Sequence, residues 1–67
     1  MPESDSTQTP LRIVIADDEP IIRLDLRKTL EDLGYEVVAE AGDGGAALDA
    51  VRAQRPDVAI LDIRMPV

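Results

Sequence analysis

The stretch "IVIADDEPIIRLDL", residues 13–26, runs four apolar positions straight into three consecutive acids, Asp17, Asp18 and Glu19, and then into a helical pattern. With Leu11 and Arg12 in front of it, the apolar part reads "LRIVIA". This run is rich in β-branched residues and mostly uninterrupted by polar ones, which predicts a strand over residues 11–16 covered on both faces. Pro20 suits a first helical turn. Beyond it Ile22, Leu26, Leu30 and Leu33 recur at steps of four, four and three, while Arg23, Arg27, Lys28, Glu31 and Asp32 fill most of the other side. Gly34 is the expected C-terminal stop. A buried strand that ends in clustered negative charge is unusual enough to organise the rest of the reading.

Working outward, "YEVVAEA" at residues 35–41 alternates Tyr35, Val37 and Ala39 against Glu36, Val38 and Glu40, the pattern of a strand nearer a sheet edge. "GDGG" makes a turn in which Asp43 is placed to cap a second helix. Ala47, Leu48 and Val51 give that helix a thin apolar stripe suited to close packing on a sheet, and Arg55 and Pro56 end it. "DVAILDI", residues 57–63, is again apolar except for Asp57 at its mouth and Asp62 near its end. The order is therefore β-α-β-α-β, with connections of the length that right-handed crossovers in a parallel sheet require. Three strands and two helices leave a sheet edge unpaired. Residues 11–67 accordingly read as an incomplete domain behind a polar, disordered leader at residues 1–10, which carries two prolines and no periodicity.

Composition narrows the function classes. The 67 residues include no cysteine and no histidine, and Tyr35 is the lone aromatic. There is no material for a disulfide framework or a thiolate metal site. The formal charge is −7, and 12 acids face 7 bases once Glu3 and Asp5 of the leader are set aside. Electrostatic binding of nucleic acid by this segment is disfavoured. No apolar run approaches the roughly 20 residues needed to span a bilayer, and the first residues lack the form of a signal peptide, so a cytoplasmic location is expected.

The acids supply the chemistry. Reactive groups in open parallel sheets gather at the carboxyl ends of strands, and Asp17, Asp18 and Asp62 all fall at that end. If the first and third strands are neighbours, about 4.8 Å apart, these carboxylates converge, and like charges that close repel unless a cation holds them. Oxygen-only ligands point to a hard ion. The EF-hand spacing is missing, which favours Mg2+ with several waters retained over Ca2+. One strand-end carboxylate beside such an ion is a plausible nucleophile for forming an acyl phosphate.

From Leu11 to the last residue the chain resembles the first half of the receiver domain of bacterial response regulators. The resemblance is carried by the acidic pair after the first strand, the leucine-spaced helix, "GYEVV", the "A-x-D-G-x-x-A-L" pattern, "RPD" and the run into "LDIRMP". It implies a flavodoxin-like, CheY-like α/β fold truncated to β-α-β-α-β with strand order 2-1-3, and a signalling domain rather than an enzyme. Asp62 would accept the phosphoryl group. Asp17 and Asp18 would form the Mg2+-binding pair together with Asp62 and the backbone carbonyl of Arg64, with Asp18 the more direct ligand and Asp17 acting more through water. A sensor histidine kinase is the implied phosphoryl donor. The family continues past "MP" to a Thr or Ser and a Lys that read the phosphoryl group; these positions lie beyond the 67 residues, and Lys28, the lone lysine, sits in the first helix. "DEPIIRLDL" and "GYEVVAEAGDGGAALD" are also similar to receivers of the ANTAR group, which carry an RNA-binding antitermination module. A DNA-binding output domain is the commoner partner of a receiver.

Simpler readings compete at individual positions. Asp17, Asp18 and Glu19 can form a solvated loop favoured by the positive end of the following helix, and Arg64 can pair with Asp62. Asp25 is expected on an exposed helix face, within reach of Lys28 or Arg23, and Pro66 in a turn. A rival from another class is a dinucleotide-binding fragment: Gly42, Gly44 and Ala47 satisfy G-x-G-x-x-A, and Asp62 follows Gly42 by 20 residues. Against it, Asp43 sets negative charge beside a pyrophosphate, the preceding strand carries Glu36 and Glu40, and the acids after the first strand are left without a role.

Overall fold

A computed structural model describes residues 10–62 of the chain; the positions before Pro10, expected to form a leader, and those after Asp62, Arg64 and Pro66 among them, lie outside the described residues. The elements run β1 (Arg12–Asp17), α1 (Pro20–Asp32), β2 (Glu36–Ala41), α2 (Gly44–Gln54) and β3 (Val58–Asp62). All pairing is parallel, in the order β2-β1-β3. This is the architecture expected from the sequence, with β1 central and β2 on an edge.

Local chemistry sets the boundaries. Pro20 occupies the first turn of α1, whose N-cap, Glu19, makes no side-chain capping bond. At the other end Gly34 has φ +95°, the left-handed conformation that glycine adopts without penalty. Gly34 N donates to Glu31 O and Tyr35 N to Leu30 O, each at 3.0 Å, the bonding pattern of a Schellman stop. In α2 the Asp43 carboxylate accepts from Ala46 N at 2.8 Å, so Asp43 is the cap that the turn sequence suggested. Arg55, in the left-handed region, closes that helix.

The core lies around β1 and has two sides. Ile13 and Ile15 pack with Leu30 of α1, joined by Leu26, Val37 and Ile60. On the opposite face, Ala16, Ala41 and Ala47 form a second cluster whose small side chains bring α2 close to the sheet. The β1–β2 register shifts between Ile13, paired with Val37, and Val14, paired with Ala39. Val38 is the extra residue of this bulge, which interrupts strict alternation and leaves Val37, Val38 and Ala39 all half-buried. At the amino end of the sheet, Arg12 fastens α2 and β3 to β1: its Nη1 donates to Gln54 O at 2.6 Å, and its backbone N–H donates to Asp57 Oδ2 at 2.8 Å.

Parts of the apolar pattern are not buried. Ile22 and Leu33, read as part of the inward stripe of α1, are 50% and 67% exposed, and Leu48 of α2 is likewise half exposed. β3 has β1 on one side, and of its five residues only Ile60 is partly covered. Periodicity identifies which side of an element is apolar; burial also requires a neighbour to cover it, and among the described residues these side chains are covered only in part.

Candidate functional site

The sheet fixes the relative positions of the acids. β1 and β3 pair in register as Ile15 with Ile60 and Asp17 with Asp62, two steps further along each strand. Side chains two residues apart on a strand share a face. Ile15 and Ile60 belong to the cluster under α1, so Asp17 and Asp62 stand together on that same side, at the carboxyl ends of adjacent strands. The chain then turns through Asp18 and Glu19 into α1. Asp17, Asp18, Glu19, Ile22 and Asp62 line one cleft of about 240 Å³. All three described candidate acids therefore reach one small volume, and Glu19, read only as a helix-start charge, joins them.

Their environments differ. Asp17 is 3% exposed, the buried polar residue of the described core. Its Oδ1 accepts from Glu19 N at 2.8 Å, which offsets part of the cost of burial and tightens the turn. Asp18 and Asp62 are exposed to the cleft. Arg64, whose carbonyl was expected to complete a cation site and whose side chain was the simpler partner for Asp62, lies outside the described residues.

The donor set suits a hard cation, because the residues that line the cleft are four acids and the apolar Ile22, whose side chain offers no donor. Among the described residues no three acidic side chains are already drawn together as a metal cage. An ion there would be held by a subset of the carboxylates with water completing its shell, the usual manner of Mg2+. A cleft of this size has room for several waters.

The sequence reading missed one residue. Arg23 was placed on the polar side of α1 and offered as a partner for Asp25. Instead its Nη1 donates to the Asp17 carbonyl at 2.7 Å and its Nε lies 3.5 Å from Glu40 Oε1. The side chain is only 22% exposed. Arg27 also turns to Glu40, at 2.7 Å, and to Glu31; the hydrogen bonds it donates to Glu31 and then Glu40 raise its pKa above the ordinary arginine value. Asp25 pairs with neither Lys28 nor Arg23 among the described contacts. The signal available was Gly42, the small residue over which Arg23 lies.

The same topology removes the dinucleotide rival. In that fingerprint the glycine turn and the ribose-binding acid follow adjacent strands. Here the glycine turn follows β2 and Asp62 ends β3, with β1 between them. Asp43 also already occupies an amide at the start of α2.

Comparison with known proteins agrees with the geometry. Residues 13–67 match the family described as "Response regulator receiver domain". The chain is 47% identical over 57 residues to the transcriptional regulatory protein PdtaR of Mycobacterium tuberculosis, covering 85% of this chain and 28% of that protein. It is 47% identical over 66 residues to the nitrate/nitrite response regulator protein NarP of Escherichia coli, covering 97% and 29%. A solved structure, the signal receiver domain of the response regulator NarL from Mycobacterium tuberculosis, superposes with a TM-score of 0.83 at 45% identity over 88% of this chain and 48% of that one. The chain thus spans less than a third of the length of these two curated relatives. With its β2-β1-β3 sheet and its acids gathered at the strand ends, the chain belongs to the response regulator receiver domain family.

Proposed function

We propose that this chain accepts a phosphoryl group on Asp62 in a Mg2+-dependent reaction, as the receiving half of a two-component signalling pair. The observation that supports this best is the in-register placement of Asp62 beside Asp17, on one face and over one cleft. A bound Mg2+ supplies charge neutralisation for the phosphoryl oxygens. Asp18, exposed at the cleft, would be the more direct protein ligand, and Asp17, with one oxygen engaged by Glu19 N, would act more through water. Asp62 and the carbonyl of Arg64, the latter outside the described residues, would complete the protein's share of the site. The Asp62 carboxylate attacks phosphorus, forming an O–P bond as the donor's bond to phosphorus breaks and its electron pair leaves with the donor. A histidine kinase is the proposed donor, its phosphoramidate nitrogen being the leaving group.

The segment is proposed to act in the cytoplasm as part of a longer regulator, with residues 1–10 as a leader and 11–67 as the first half of its receiver. No helix of the described residues is long and apolar enough to cross a membrane. An output module on the same polypeptide, RNA-binding or DNA-binding, would carry the signal to gene expression; PdtaR and NarP are themselves named as regulators.

The test is incorporation of phosphoryl from a small donor such as acetyl phosphate. The wild-type regulator is expected to label with Mg2+ and not with a chelator, and Asp62→Asn to lose the label. Retained, equally stable labelling of Asp62→Asn contradicts the assignment.

A further inference from the structure

Arg23 ties together three features at the carboxyl end of the sheet. The β1–β2 register ends at Ala16 and Ala41, and one residue further along β1 the Asp17 carbonyl accepts from Arg23 Nη1 at 2.7 Å. The same guanidinium stands 3.5 Å from the Glu40 carboxylate of β2, its buried Nε making no hydrogen bond of its own. It also lies over Gly42, where a Cβ would sit 3.1 Å from Nη1. Glycine leaves the room that the guanidinium fills.

The bond to Asp17 O acts on the next residue. The Asp17 carbonyl belongs to the planar peptide that joins Asp17 to Asp18. Fixing that oxygen fixes the plane, and with it the direction in which Asp18 leaves the strand. Asp17 is then held twice, through its side chain by Glu19 N and through its carbonyl by Arg23. We propose that Arg23, braced by Glu40 and admitted by Gly42, is a positioning residue that locks the Asp17–Asp18 peptide plane so that Asp18 is presented to the cation cleft. This rests on the cation reading of the cleft given above. Arg23 touches neither cation nor phosphoryl group; it works through the backbone, as outer-shell partners of metal ligands do.

The test is Mg2+ affinity, read from amide chemical shifts of the folded full-length chain, for wild type, Arg23→Ala, Arg23→Lys, Gly42→Ala and Asp18→Ala, with the metal-free melting temperature of each. Arg23→Ala is expected to bind Mg2+ about tenfold more weakly, the lower end of outer-shell effects. Arg23→Lys, with one compact head that reaches the carbonyl but not Glu40 as well, falls between it and wild type. Gly42→Ala, which displaces the guanidinium without removing it, shows a smaller loss of the same kind. A purely structural role would lower the melting temperature of Arg23→Ala and leave the affinity of the folded protein unchanged, and that result overturns the proposal. If Arg23→Ala fails to fold, Arg23→Lys decides, wild-type affinity again overturning it. Asp18→Ala separates the two levels: weakened binding there with intact binding in the Arg23 variants sinks the positioning role alone, whereas unchanged binding in Asp18→Ala removes the cation reading and the proposal with it.

Discussion

Asp17 and Asp62 are directly paired across β1 and β3, the last matched residues of that ladder, and both stand on the side of the sheet covered by α1. Forty-four positions of sequence lie between these carboxylates, and a parallel crossover closes the gap without any contribution from the acids themselves. The cost of placing them together is borne by packing of the isoleucines beneath.

That dependence predicts a large effect at Ile15, which is fully buried. Ile15→Ala removes packing against Leu30 and Ile60 and is expected to cost about 2–5 kcal/mol, measured from the denaturant midpoint. A loss well under 1 kcal/mol would mean that β1 is not the centre of the core.

Two glycines should respond oppositely to the same change. At Gly34, with φ +95°, alanine meets no atom within 4 Å, so only conformational strain of about 1 kcal/mol is expected, lowering the melting temperature. At Gly44, the first residue of α2, there is also open space but no positive φ, and alanine should stabilise by up to about 1 kcal/mol. Equal shifts at both sites would contradict the Schellman stop assigned to α1.

Asp43 and Asp18 are both exposed acids near a helix start, and the structure separates their roles. Asp43→Ala loses the bond to Ala46 N and should cost about 1 kcal/mol of stability, with Mg2+ affinity unchanged. Asp18→Ala should weaken Mg2+ binding and change stability little, since its carboxylate faces the cleft. Paired titration and thermal unfolding check both, and exchange of the two phenotypes would reverse the assignment.

Much of this arrangement is written locally in the sequence. The β-branched run into Asp17, the four-step leucine pattern, Gly34 and the Asp43 turn each define an element without help from the rest of the chain, and the crossover rule then orders the sheet. The bulge at Val38 is not legible, because it is a mismatch between two strands and belongs to neither alone. The exposure of Ile22, Leu33 and the residues of β3 is hidden for the same reason: a pattern marks an apolar face, and only a neighbour buries it. Arg23 was missed because an arginine on a helix usually reads as solvated, whereas its long stem lets it reach back six residues to a backbone oxygen that no periodicity records.

The most direct measurement is to find where the phosphoryl group sits. The full-length regulator would be phosphorylated with acetyl phosphate and Mg2+, the acyl phosphate trapped by borohydride reduction, and the modified position identified by peptide mass spectrometry. Reduction product at Asp62, absent when Mg2+ is chelated, is the predicted result. Product at Asp17 or Asp18, or Mg2+-independent product at Asp62, would contradict the account.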